Sequence, residues 1–195
     1  MERPRHRNGA GHDADSALTG DNPHPGREGV GREPVRLPDL CGDFQMRIDR
    51  DGTWHYRGSP IGRAALVKLF STVLRRDSDG VHWLTTPVEN GRIAVEDAAF
   101  IAVEMTAAGT GRGQVLRFRT NVDDVVTLDA DHPLRIEESD SGEPRPYIHV
   151  RGGLEARIAR PVFYHLIERG EPSPDIPGQF GVWSAGRFFA LGALA

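Results

Sequence analysis

Lysine is almost missing from this chain, in which Lys68 is the only one among 24 basic residues. The arginine excess reads first as a coding bias and only second as a preference for bidentate anion contacts. Cysteine is equally scarce. Cys41 alone cannot form an internal disulfide, which suits a reducing compartment. No apolar run approaches the ~18 residues that span a bilayer, so no transmembrane helix is expected. The opening MERPRHRNGAGHDADSALTG has arginines but no hydrophobic stretch behind them, unlike a secretory signal. An excess of positive charge is lacking too. A net charge of −4 and a pI near 6.1 leave no basic face to neutralise a phosphate backbone. A cytoplasmic protein with neither membrane nor nucleic acid as partner is therefore expected.

Residues 1–38 contain no Phe, Tyr, Trp or Ile, and are rich in Gly, Pro, Arg and Asp. Such a segment cannot bury enough apolar surface to offset its ordering entropy, and a disordered tail is expected. Its histidines, His6, His12 and His24, are too scattered for a metal site. The folded part is expected to divide into an N-terminal α+β subdomain over 39–99 and a C-terminal subdomain over 100–195.

What is present is an alternation of strand-like runs with turn signals. FQMRIDRDGTWHYRG predicts a hairpin turning at Asp51-Gly52, with Trp54 and Tyr56 on one face and His55 and Arg57 on the other. SPIGRAALVKLFSTVLRRD predicts a helix capped by Ser59 with Pro60 in its first turn. VHWLTTPVENGRIAVEDAAF predicts a hairpin turning at Asn90-Gly91. In PYIHVRGGLEARIARPVFYHLIERG a strand precedes a second helix, which Pro161 should kink or split. GQFGVWSAGRFFALG is a last hairpin.

Residues 55–75 and 149–169 resemble each other at an offset of 94, with identities including His55/His149, Arg57/Arg151 and Gly58/Gly152. Six identities in 21 positions exceed the roughly one or two that composition gives. The fold class is therefore α+β, a duplicated β-hairpin/helix/β-hairpin motif forming two small subdomains. The boundary between two such halves is a natural place for a ligand.

Several patterns suggest chemistry that their context then denies. AAGTGRGQV is glycine-rich, but a strand follows it where a phosphate loop needs a helix. His165 and Glu168 are half a metal site without a second half, and no metal, cofactor or catalytic residue is assigned. Glu96 and Asp97 are adjacent and so point to opposite faces of a strand. TNVDDVVTLDADHPLR, residues 120–135, concentrates four aspartates and a histidine. Two Asx turns around one short strand account for most of that acidity. Its spacing lacks the glycine and distal glutamate of a calcium loop.

The repeated His-x-Arg-Gly is the stronger candidate, because arginine forks and protonatable histidines suit anions. His55, Arg57, His149 and Arg151 are the expected anion contacts. Trp54, Tyr147 and Trp83 are available to stack a base.

GTWHYRGSPIGR, LFSTVLRRDSDG, TPVENGRIAVEDAAF, TNVDD with HPLR, PYIHVRGGLEARIARPVFY and GVWSAGRFFALG together resemble the bacterial family called domain of unknown function 1285 (DUF1285). The resemblance covers nearly all of residues 40–192. It implies a duplicated α+β fold whose C-terminal half is superficially like a pleckstrin-homology domain. It also implies a ligand site between the halves for a nucleotide-like molecule, and a link to signal transduction. It marks TNVDD and HPLR as motifs, which adds Asn121, Asp123 and His132 to the expected ligand-binding residues. The alternatives are a hydrolase using His132 with Asp123, Asp124 or Asp131, and a protein-interaction adaptor presenting Phe188 and Phe189.

Overall fold

The structure, a computed structural model, describes residues 41–193. The expected tail, 1–38, lies outside them. The first half comprises β1 (Cys41–Ile48), β2 (Trp54–Tyr56), β3 (Ser59–Pro60), α1 (Ala64–Val73), β4 (Leu74–Arg76), β5 (His82–Thr85) and β6 (Asn90–Val95). The second comprises β7 (Phe100–Ala108), β8 (Val115–Thr120), β9 (Val125–Thr127), β10 (Leu134–Glu138), β11 (Pro144–Arg151), β12 (Leu154–Ile158) and α2 (Arg160–Ile167). A three-stranded sheet of β13 (Glu171–Pro172), β14 (Gln179–Ser184) and β15 (Arg187–Ala193) completes the molecule. The chain is thus mostly β, with two short helices in an α+β arrangement.

The first two sheets share one path. In the first, β1, β2 and β3 step outward from the centre, and β4, β5 and β6 step back in from the opposite edge. The first and last strands meet as a central parallel pair, β1 with β6. In the second sheet β7, β8 and β9 step outward, β10, β11 and β12 step back in, and β7 pairs in parallel with β12. Two similar six-stranded sheets speak for an internal duplication. The chain order that makes them similar sets β2 against β8, however, and not against β11 as the offset of 94 did.

The turns explain why that offset misleads. Tyr56 pairs with Ser59, so Arg57-Gly58 is the turn itself, with both residues at positive φ. Arg151 pairs with Leu154, so Gly152-Gly153 is the turn and Arg151 ends the strand. The shared arginines therefore occupy different positions in hairpins that are not equivalent.

The helices differ from expectation for similarly local reasons. Because Arg57-Gly58 turns, Ser59 and Pro60 pair back onto β2 as a short strand, and α1 begins only at Ala64. Pro161 falls in the first turn of α2, where its missing N–H costs nothing, so it starts the helix rather than kinking it. The helices are not equivalent either: α1 crosses from β3 to β4, whereas α2 follows β12.

In the second sheet residues 128–133 make the corresponding crossing unaided. Thr127 and Leu134 are seven residue steps apart, about 24 Å at full extension. A flat six-stranded sheet is itself about 24 Å across. The connection contains an Asx turn, in which Asp129 Oδ1 accepts from the amides of Asp131 and His132, so it is far from extended. The sheet must therefore curl to bring its edges together. A single hydrophobic core runs through both halves and includes Ile48, Trp54, Leu84, Phe100, Phe118 and Leu166. Among the described residues, no helix is long and apolar enough to cross a membrane.

Candidate functional site

Where the halves meet, a cleft of about 520 Å³ opens between the β1–β2 turn and the start of α2. The turn contributes Arg50 and Asp51, β12 contributes Arg157, and α2 contributes Arg160, Phe163 and Tyr164. These positions follow from the chain path. Gly52 at positive φ closes the turn, with its amide donating to Asp49 O at 3.1 Å, which places Arg50 and Asp51 at the tip. Pro161 starts α2 directly after β12, so Arg157 and Arg160 flank one corner of the cleft.

The cleft's charges are not alike. Arg157 Nη1 donates to Asp97 Oδ2 at 2.9 Å, and the same carboxylate accepts from the Tyr147 hydroxyl at 2.7 Å. Arg160 Nη2 donates to Glu143 Oε1 at 3.1 Å. Arg50 forms no ion pair with any described residue. Asp51 spends one carboxylate oxygen on the amide of Thr53, at 2.9 Å. Phe163 is buried, while the Tyr164 ring is half exposed, beside Pro144 and Pro146.

Behind Asp97 lies a smaller polar cavity of about 210 Å³, bordered by Arg76 and His82 from the first half and Arg135 and Tyr147 from the second. Its walls are largely satisfied among themselves. Arg135 grips Glu155 with two hydrogen bonds, of 3.0 and 2.7 Å, and lies 4.4 Å from the centroid of the Tyr147 ring. Burial, then the Asp97 carboxylate, pushes the Tyr147 phenol up to about 12. Burial, then the charge of Arg76, holds His82 below its ordinary value.

The expected ligand contacts are dispersed. His55 Nε2 bonds Asp49 Oδ2 at 2.8 Å, and Arg57 lies against the Tyr56 ring on an open face of the first sheet. Trp54 is 1% exposed and stacks on Phe70 within the core. Arg151 bonds Asp124 and donates to Ser71 O at 2.8 Å, so it ties the second half to α1. Neither the cleft nor the smaller polar cavity is lined by a residue of the His-x-Arg pairs. Trp83 donates to Asp77 at 2.8 Å.

Asn121 joins the halves, its Oδ1 accepting from the Ile101 amide and its Nδ2 donating to Gly52 O. Asp123 accepts from Lys68 and Arg119, in that order of effect, and their charges hold its carboxyl below the usual range. His132 and His149 do come together, with ring centroids 5.9 Å apart. Each ring Nδ1 faces a backbone carbonyl, of His149 and Asp131 respectively, the Gly153 amide donates to His149 Nε2, and among the described residues neither ring bonds a carboxylate. His165 and Glu168 are both exposed. Phe188 meets Trp183 edge-on and Phe189 packs on the core, which leaves both half-buried.

Arg50, Arg160 and Tyr164 went unremarked in the sequence because nothing local distinguishes them. The strings quoted for the resemblance contain Arg157, Arg160, Phe163 and Tyr164, but only the fold turns them towards one space.

Comparison with known proteins fixes the family. Residues 34–98 match the N-terminal domain and residues 99–191 the C-terminal domain of a protein of unknown function, DUF1285. The chain belongs to the DUF1285 family. The crystal structure of a DUF1285 family protein from Silicibacter pomeroyi DSS-3 is 49% identical, with a TM-score of 0.74 over 78% of this chain and 81% of that one. A DUF1285 family protein from Shewanella baltica OS155 is 26% identical, with a TM-score of 0.52 over 64% of this chain and 91% of that one. No curated protein matches the chain.

Proposed function

We propose that this DUF1285 chain is a non-enzymatic, sensor-like binding protein that takes a small anionic, nucleotide-type ligand in the cleft between its halves. The observation that carries the proposal is the meeting of arginines from both halves, Arg50 with Arg157 and Arg160, beside the half-exposed Tyr164 ring. Its volume, about 520 Å³, falls within the ~300–1,000 Å³ usual for small-molecule sites. Arginine forks suit phosphate oxygens, and a partly exposed aromatic ring offers a face to a base. The contacts thus move from the repeated His-x-Arg-Gly, whose Arg151 is already engaged, to the cleft.

A role in cytoplasmic signal transduction fits a protein that binds without a catalytic constellation. A pleckstrin-homology-like second half is in keeping with a curled sheet followed directly by a helix. On this view the halves are duplicates of one ancestral unit, each having gained its own helix.

A thermal-shift screen with nucleoside mono- and diphosphates tests the proposal. A ligand at 100 times its dissociation constant should stabilise the fold by about 2.7 kcal/mol. The shift should vanish in an Arg50→Ala, Arg160→Ala double variant and persist in Arg57→Ala. No shift with any nucleotide, or an undiminished shift in the double variant, would defeat the proposal.

A further inference from the structure

The cleft supplies an anion of its own. Glu143 and Arg160 both line it, and the Arg160 guanidinium donates to the Glu143 carboxylate at 3.1 Å. Glu143 stands at the end of the turn between β10 and β11. There the Ser139 amide donates to Glu143 O at 2.9 Å, and the Glu143 amide donates to Ser139 Oγ at 2.9 Å. Gly142, at a φ of +77°, closes that turn. The backbone of Glu143 is therefore fixed, while its side chain remains in water. Side-chain exposures of 69% for Arg160 and 64% for Glu143 put the pair in the class that contributes little to stability.

Resting on the cleft reading above, we infer that Glu143 is an internal competitor for the ligand. Its carboxylate holds the place on Arg160 that the ligand's anionic group takes, and it swings into solvent as the ligand seats. A carboxylate and a phosphate present similar oxygens to a guanidinium fork, so the two exclude each other there. Arg157 is not contested in this way. Its partner Asp97 is only 14% exposed in the side chain and is shared with Tyr147, so that pair stays closed. The incoming anion is then gripped by Arg50 and Arg160. The ligand class that follows has its charge concentrated at one end, as in a nucleoside monophosphate, with its flat body on Tyr164. Glu143 sets the affinity, and it does so without costing the fold anything when displaced.

Calorimetric titration with AMP, GMP and inorganic pyrophosphate tests the inference on the wild-type chain and on Glu143→Gln. The substitution keeps the shape of the side chain and removes its charge. Relief of an exposed ion pair should tighten nucleotide binding about fivefold at low ionic strength. The gain should shrink as salt rises, because both competitors are screened alike. Glu138→Gln, on the same hairpin but outside the lining of the cleft, separates occupancy of Arg160 from a general change in net charge and should leave binding unaltered. Both variants should melt with the wild type. Tighter binding in Glu143→Gln alone, including binding that appears only there, supports the competitor. Unchanged or weaker binding in Glu143→Gln, or an equal gain in Glu138→Gln, overturns it and leaves the cleft reading standing. If neither the wild type nor Glu143→Gln binds any of the three probes, both fall together.

Discussion

Tyr147 is 3% exposed, and its hydroxyl has one described partner, the Asp97 carboxylate that also receives Arg157. Burial and that carboxylate both favour the neutral phenol, which is why its pKa rises to about 12. An acid whose folded pKa exceeds its unfolded value of about 10 contributes stability that is whole below pH 10. That contribution is lost as the pH climbs towards 12. Two observations should follow. Tyrosinate absorbance should show one phenol ionising near pH 12, and that step should be missing in Tyr147→Phe. The same variant should lose about 1–2 kcal/mol at neutral pH, because Asp97 is left one donor short. If the late step survived in Tyr147→Phe, the assignment to this residue would be wrong. Such a partnership was invisible in the sequence, since it joins residues fifty positions apart. The turn after β9 was legible, because an Asx side chain bonds amides two or three residues on, as Asp129 does here. The turn before β9 is held instead by Thr120, whose Oγ1 accepts from the amides of Val122 and Asp124.

Gly91 shows why elements are harder to read than turns. Asn90-Gly91 has the composition of a two-residue hairpin turn, yet both residues belong to β6. The turn lies earlier, where the Thr86 amide donates to Glu89 O and Thr86 Oγ1 accepts from the Glu89 amide. Glycine is needed at 91 for a different reason. A Cβ there would stand 2.3 Å from the Phe44 ring of the neighbouring central strand. The ring is met broadside, at three of its atoms, so it cannot simply tilt away. Gly91→Ala should therefore cost about 1–3 kcal/mol, the range for overpacking. Gly42, its register partner on β1, has nothing within 4 Å of an added Cβ. Gly42→Ala should leave the denaturation midpoint within error, and equal losses in the two variants would refute the close-approach account. Hairpins at Asp51-Gly52 and between β14 and β15 were legible from glycine and alternation alone. The parallel pairing of β1 with β6, the late start of α1 and the corner formed by Arg157 and Arg160 were not, because each depends on strands distant in sequence.

The two halves have separate sheets but one core, and the polar contacts between them have the character of clasps. Asn121 reaches from the second half to Gly52 O, Arg76 from the first half to Gly153 O, and Arg151 to Ser71 O on α1. Arg151 does the most, since its guanidinium also holds Asp124 and lies 5.0 Å from the centroid of the Phe100 ring in the shared core. Removing it leaves a half-buried carboxylate, Asp124, without its donor, and the Ser71 carbonyl with the Leu74 amide alone. Hydrogen bonds to charged groups contribute about 1.5–3 kcal/mol. For a folded region of this size, each kcal/mol corresponds to about 2–4 °C in Tm. Arg151→Ala should accordingly melt about 3–12 °C lower than the wild type. It should still melt in one step, because residues such as Ile48, Trp54, Phe100 and Leu166 pack into a single cluster that neither half can complete alone. Tryptophan fluorescence and far-ultraviolet dichroism should therefore trace coincident transitions in both proteins. Transitions that separate in Arg151→Ala would mean that the clasps, and not the core, hold the halves together. The cleft would then be a hinge that a ligand closes rather than a preformed site.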